Sequence, residues 1–275
     1  MKKALHLTTA ILCLTVSSCN DQAVQGIISG LFSIINVSGQ SPATVSTPDL
    51  MELPAINSDD RIVSHTGFVS SYNPETLIPD WVAYELTAEE LEGDEQRGDR
   101  RFSMDPDYKG TQAMREDYYD SGWTKGHMAP ATDFRWSADA MDDTFYFTNV
   151  CPQNEYLNGQ DWEYLEGKVR HWARQFGKVW VVSGPIVGSN RYGTIGDRDV
   201  VVPDSFYKAV LACRNGKYRS IAFIMGNDEQ RYYLKDCATS VNELEKITGI
   251  DFFPALDDSI EDDVEGRTSF SDWGL

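Results

Sequence analysis

Thr124-Lys125-Gly126-His127-Met128-Ala129-Pro130 is followed by Thr148-Asn149-Val150-Cys151-Pro152-Gln153, then Leu157-Asn158, Trp162 and Leu165-Glu166. The first stretch places a histidine directly after a glycine, between strand-like segments, with a proline three residues on. The second carries an apolar, β-branched approach that stops at a proline. From Trp162 onward, Trp162, Leu165, Val169, Trp172 and Phe176 recur at helical spacing and form one apolar stripe. Two strand-like segments and an amphipathic helix thus follow one another along the chain.

Outward from this unit, strand-like runs cover 63–72, 81–86, 144–150, 178–182, 205–213 and 218–225. A second helix is expected over 240–248, and Gly184, Gly188, Gly193 and Gly196 mark a turn-rich excursion. The pattern predicts one mixed α/β domain over 58–275. Asp257, Asp258, Glu261, Asp262, Asp263 and Glu265 read as a solvated acidic tail.

The opening residues read as an address. Met1-Lys2-Lys3 is basic, Ala4 to Val16 is mostly apolar, and Ser17-Ser18 lead into Cys19, so 1–18 reads as a signal peptide. Val16-Ser17-Ser18-Cys19 resembles a bacterial lipobox, which predicts a lipid anchor at Cys19 and a cell-envelope lipoprotein; the alternative is a periplasmic or secreted chain. Residues 19–57, low in charge and rich in Ser, Gly, Thr and Pro, are expected to act as a tether, although the apolar run from Ile27 to Val37 does not suit a simple linker. In an oxidising compartment Cys213 and Cys237, each closing a strand-like run, would be the pair to join.

Among the 275 residues, acids outnumber Lys and Arg enough for a net charge of −19. Bulk positive charge is thus not how this chain would hold a nucleic acid. Five cysteines are too few for a disulfide-built scaffold. No stretch beyond the leader reaches the roughly 18 apolar residues of a membrane span.

The residue types are those of a phosphodiester-cleaving site. An imidazole such as His127 can take a proton from water near neutral pH. Arg100 and Lys125 can stabilise charge on a phosphorane. Asn158 and Glu166 offer hard oxygens suited to Mg²⁺ or its waters. Asn158, with Asp161 three residues on, also reads as a helix N-cap. His65 and His171 read as structural. A zinc hydrolase fits poorly, because the histidines show no paired ligand spacing.

In order and spacing these blocks, with Trp81-Val82-Ala83-Tyr84 upstream, resemble the DNA/RNA non-specific endonuclease family of ββα-metal nucleases, over about residues 65 to 253. The resemblance implies a ββα-metal nuclease fold, with a central antiparallel sheet flanked by helices, and an endonuclease acting on DNA and RNA without sequence specificity. His127 is then the general base, Asn158 the direct protein ligand of Mg²⁺ (Mn²⁺ or another divalent cation substituting), and Glu166 the holder of a metal water. Asn149 orients the site, Arg100 stabilises the transition state, and Lys125 grips phosphate. Two positions depart from the family signature. Lys125 replaces an arginine and loses its bidentate fork, and Thr124 replaces an aspartate beside the histidine. These departures motivate a second expectation, a catalytically weakened nuclease-fold surface protein that binds nucleic acid or a protein partner.

Overall fold

The 178–182 run is the start of a strand that continues to Ile186, with an apolar strand paired on either side of it. A computed structural model describes residues 50–275; the leader, Cys19 and most of the tether lie outside the described residues. The strands are β1 (Ile62–Ser64), β2 (Val69–Asn73), β3 (Ile78–Thr87), β4 (Thr124–His127), β5 (Val150–Gln153), β6 (Lys178–Ile186), β7 (Thr194–Ile195), β8 (Val200–Val201), β9 (Ser205–Arg214), β10 (Lys217–Gly226) and β11 (Ala238–Thr239). Seven of them form one antiparallel sheet in the order β1-β2-β3-β6-β9-β10-β11. Its central strands are buried on both faces, which explains their nearly continuous apolar runs. Val179, Val181, Phe206, Val210 and Phe223 pack on one face, and Trp180, Val182, Tyr207, Leu211 and Ala222 on the other.

The helix Glu163–Phe176 covers the first face. Leu165, Val169 and Trp172 of the expected stripe are fully buried, and Gly177, at φ 92°, ends the helix. Trp172 stacks on Phe223 at 5.9 Å and donates to the Trp273 carbonyl at 2.8 Å, which ties down the C-terminus. The opposite face is covered by Val241–Thr248, capped by Ser240, and by Asp258–Glu265. No helix among the described residues is long and apolar enough to cross a membrane.

Several expectations are corrected. The 63–72 run is a hairpin, β1 and β2, broken at Thr66-Gly67. Gly184 belongs to β6, where a Cβ would lie 2.4 Å from the Tyr207 hydroxyl, so close strand packing rather than turning requires it. The tether ends earlier than residue 57: Met51 and Leu53 are buried in the second core, and the Ala55 amide donates to the Asp251 carbonyl at 2.9 Å. Cys213 and Cys237 are free thiols. Cys213 sits opposite Tyr218 of β10 and packs on the second face, while Cys237 packs on the first and precedes Ala238, which pairs with Phe223. The sheet itself separates them, beyond disulfide reach.

The acidic tail is not wholly solvated, because its helix buries Val264 and Glu265. Glu265 is 1% exposed, and its Oε1 has no partner. Burial, then the charges of Glu245 and Glu261, push its carboxyl up to about 9. A raised folded-state value means stability that is complete below the unfolded value of about 4.3 and lost as pH rises through about 9. Glu265→Gln is therefore expected to raise Tm at about pH 8 and scarcely at about pH 5. Each kcal/mol relieved is worth about 2–4 °C in a domain of this size. Thermal scans at the two pH values check this; equal shifts would refute it.

Candidate active site

β4 and β5 form a separate antiparallel ribbon in the register Thr124↔Gln153, Lys125↔Pro152, Gly126↔Cys151 and His127↔Val150. The second strand begins where the 144–150 expectation ended. Phe147–Asn149 is a short 3₁₀ turn, because the Asn149 side chain takes up the Thr144 carbonyl instead of leaving it to a strand. Pro152 is tolerated because a two-stranded ribbon leaves every residue near an edge. Gly126 is required by close approach: a Cβ there would lie 2.1 Å from Gln153 Oε1 and 2.8 Å from its Cδ.

The helix starts earlier than its apolar stripe. Asn154, not Asn158, is the N-cap, its Oδ1 accepting from the Tyr156 and Leu157 amides at 2.9 and 3.3 Å. Asp161 is not a reciprocal cap either; it is buried, accepts from the Tyr232 amide at 2.6 Å and pairs with Arg231 at 3.3 Å. Glu155–Leu157 leads through a π-helical turn, Asn158–Trp162, into Glu163–Phe176. Such a turn widens the helix locally, and these insertions recur at functional positions. Here it carries Asn158 at the point facing Thr124.

Hydrogen bonding sets the direction of the Asn158 amide. Thr124 Oγ1 donates to the Gln153 carbonyl at 2.8 Å, so its remaining capacity is as an acceptor. It accepts from Asn158 Nδ2 at 3.0 Å, which leaves Asn158 Oδ1 free. Thr124 thus performs an orienting task with a hydroxyl where the family signature has a carboxylate.

His127, Asn158, Glu163 and Glu166 line one cavity of about 350 Å³, together with Arg97 and Pro130. The His127 ring packs against Phe102 and Phe145 at 5.0 and 5.2 Å. Its Nε2 is shielded and has no partner, so Nδ1 is the nitrogen that a water can meet. Burial, and then the positive charge of Arg97, push the imidazole down to about 3, which keeps it neutral and able to accept a proton. Asn149 holds the turn after His127: its Oδ1 accepts from the Ala129 amide at 2.8 Å, and its Nδ2 donates to the Ala129 and Thr144 carbonyls, each at 2.9 Å. With the amide fully engaged, Asn149 is a positioning residue.

Beneath the cavity lies a buried ionic group that the sequence reading missed. Lys208 of β9, fully buried, donates to Ser183 Oγ at 2.5 Å and to the Met128 carbonyl at 3.4 Å, beside His127. Arg170 pairs with Asp133 at 2.8 Å, and the Tyr84 hydroxyl donates to Asp133 at 2.9 Å. Burial pushes the Glu166 carboxyl up, opposed by Lys208; burial pushes Lys208 down, opposed by Glu166. The signal was present as a lone lysine inside the apolar run Phe206-Tyr207-Lys208-Ala209-Val210-Leu211.

Arg100 and Lys125 stand outside this cavity and line the adjoining cleft. Arg100 pairs with Glu95 at 3.0 Å and bonds to Asp142, while Lys125 Nζ lies 4.7 Å over the Tyr118 ring. Two arginines that the sequence reading passed over line the His127 cavity, Arg97 and Arg135, and Arg97 is the one whose charge acts on the imidazole. His65 is structural, its Nε2 held 3.1 Å from Asp105.

The cavity's donors suit a hydrated hard cation. The Gln96 and Asn158 amides and the Glu95, Glu163 and Glu166 carboxylates in its lining offer oxygen, and among the described residues no group of three His, Cys, Asp or Glu side chains is placed to hold a metal.

Comparison with known proteins agrees with this geometry. Mouse nuclease EXOG, a mitochondrial protein, is 35% identical over 211 residues, covering 71% of this chain and 57% of its own. The chain thus spans little more than half the length of that relative. Human mitochondrial endonuclease G is 32% identical over 209 residues, covering 71% and 70%. A crystal structure of the EndoG/EndoGI complex, reported for the mechanism of EndoG inhibition, superposes with a TM-score of 0.71 at 26% identity, over 80% of this chain and 95% of that one. The shared architecture is the ββα-metal nuclease fold expected from the sequence. With a profile match over residues 49–259, the chain belongs to the DNA/RNA non-specific endonuclease family.

Proposed function

We propose that this protein is an exported, metal-dependent endonuclease that hydrolyses phosphodiester bonds of DNA and RNA without sequence specificity. The observation that carries the reading is the cavity in which a neutral His127, the free Asn158 oxygen and Glu166 meet. His127 Nδ1 faces the attacking water and takes its proton. Arg97 bears on the same space, and a phosphodiester bound against it would cancel the charge that depresses the imidazole, raising its basicity when substrate is present. Asn158 Oδ1 would hold Mg²⁺ directly and Glu166 one of its waters; when bound, the ion supplies Lewis-acid stabilisation of the leaving-side charge. Lys208 balances Glu166 from below, and Asn149 keeps the turn after His127 in place. Arg100 and Lys125 serve the substrate from the adjoining cleft. The leader and Cys19 support export with a lipid anchor, unlike the mitochondrial relatives. The test is to incubate purified residues 20–275 with supercoiled plasmid and with single-stranded RNA, with Mg²⁺ and with EDTA. Cleavage of both, lost with EDTA, is expected. Folded protein that cuts neither with any divalent metal would overturn the reading and favour a nuclease-fold binding protein.

A further inference from the structure

The cleft beside the catalytic cavity, about 510 Å³, is lined by Arg100, Arg101, Arg115 and Lys125 with the aromatic rings of Tyr119 and Trp123, and by no carboxylate. In a chain of net charge −19 this is a local reversal of sign. Arg100 is neutralised by Glu95 and Asp142, but among the described residues no ion pair engages Arg101, Arg115 or Lys125. Arg115 acts on Lys125 as a like charge and outweighs the nearby Glu116. Crowded like charges that no ion pair engages suit an anionic ligand.

The aromatic content narrows the ligand. Tyr119 is 57% exposed, and Trp123 is fixed edge-on against Tyr192 at 5.0 Å. Exposed rings beside unpaired cations are the means by which proteins hold single strands, with bases on rings and phosphates on Arg and Lys. In a duplex the base faces are stacked on one another and cannot meet Tyr119. The cleft also adjoins the reacting centre. Its Thr124 wall bonds Asn158 at 3.0 Å, and its Phe102 wall packs on His127 at 5.0 Å.

We propose that this cleft is a subsite for unpaired nucleotides, taking a single-stranded segment of DNA or RNA with phosphates on Arg101, Arg115 and Lys125 and a base on Tyr119. The inference rests on the endonuclease reading, in that the segment held here continues the strand cut beside His127. The test is fluorescence anisotropy of a labelled single-stranded oligonucleotide, and of the duplex of the same sequence, on His127→Ala protein with and without cleft substitutions. Tyr119→Ala is expected to weaken single-strand binding about tenfold and duplex binding by less than about twofold, and Tyr119→Phe to restore it. Arg101→Ala with Arg115→Ala is expected to weaken both ligands and to flatten the salt dependence by about one to two units of slope. For Tyr119→Ala, equal losses on single strand and duplex, or no loss on either, would overturn the subsite. If the parent chain cleaves no substrate yet the binding pattern holds, the endonuclease reading fails while the subsite stands.

Discussion

His127→Ala is expected to cut supercoiled plasmid about 10²–10⁴ times more slowly than the parent chain, while its affinity for a single strand stays the same. In the proposed mechanism the histidine is the proton acceptor of the cavity, with an accessible Nδ1 and a shielded Nε2. It lies beyond the cleft that supplies the strand contacts, so the loss should fall on turnover and not on binding. A loss of less than about tenfold would remove His127 from the base role. The pH profile separates it from Glu166. Because the free imidazole is held down near 3, it stays neutral across the working range and cannot set the acid limb of kcat/KM. Glu166 is pushed up by burial and must be ionised to hold a metal water, so activity falls as pH drops through its value. Lys208→Met removes the charge that opposes this shift, and the acid limb is expected to move to higher pH. A limb that stays in place would show that Glu166 does not control it.

Asn158→Ala is expected to lose on the order of 10³-fold in metal-supported cleavage, since a bound cation contributes several kcal/mol of charge stabilisation and each 1.36 kcal/mol is tenfold in rate. Thr124→Val is the finer probe. It keeps the ligand but removes the hydroxyl that accepts from Asn158 Nδ2 at 3.0 Å, so the amide can rotate. Metal affinity, read by titrating Mg²⁺ against cleavage or by calorimetry, should weaken about 10–100-fold, as for other groups that orient a ligand. Thr124→Ser is expected to restore it. Unchanged affinity in Thr124→Val would mean that the amide is oriented by something other than this hydroxyl.

Much of the fold was legible because its cause is local. The stripe Leu165, Val169 and Trp172 is buried as its spacing requires, and the Ser240 cap starts the helix at Val241. The misreadings have causes both local and tertiary. Residues 144–150 looked like a strand because they are apolar, but a side chain from the same segment, Asn149, claims the Thr144 carbonyl. Asn158 looked like a cap because it precedes the stripe, but Asn154 caps the helix one turn earlier and a π-helical turn absorbs the offset. Glu265 looked solvated because its neighbours are acidic, yet the sheet beneath its helix buries it.

Sequence alone singled out the candidate groups, since motif order and spacing bring His127, Asn149, Asn158 and Glu166 into one strand, strand and helix unit built around a single apolar stripe. Only the tertiary structure decided which cations attend the reaction. Arg97, rather than Arg100, reaches the His127 cavity, and Lys208 arrives from a strand 81 positions later than His127 to balance Glu166. The physical reason is that hydrophobic periodicity is encoded between near neighbours and can be read along the chain. Charge compensation acts through space in a low-dielectric interior, between groups whose proximity exists only after the sheet has formed.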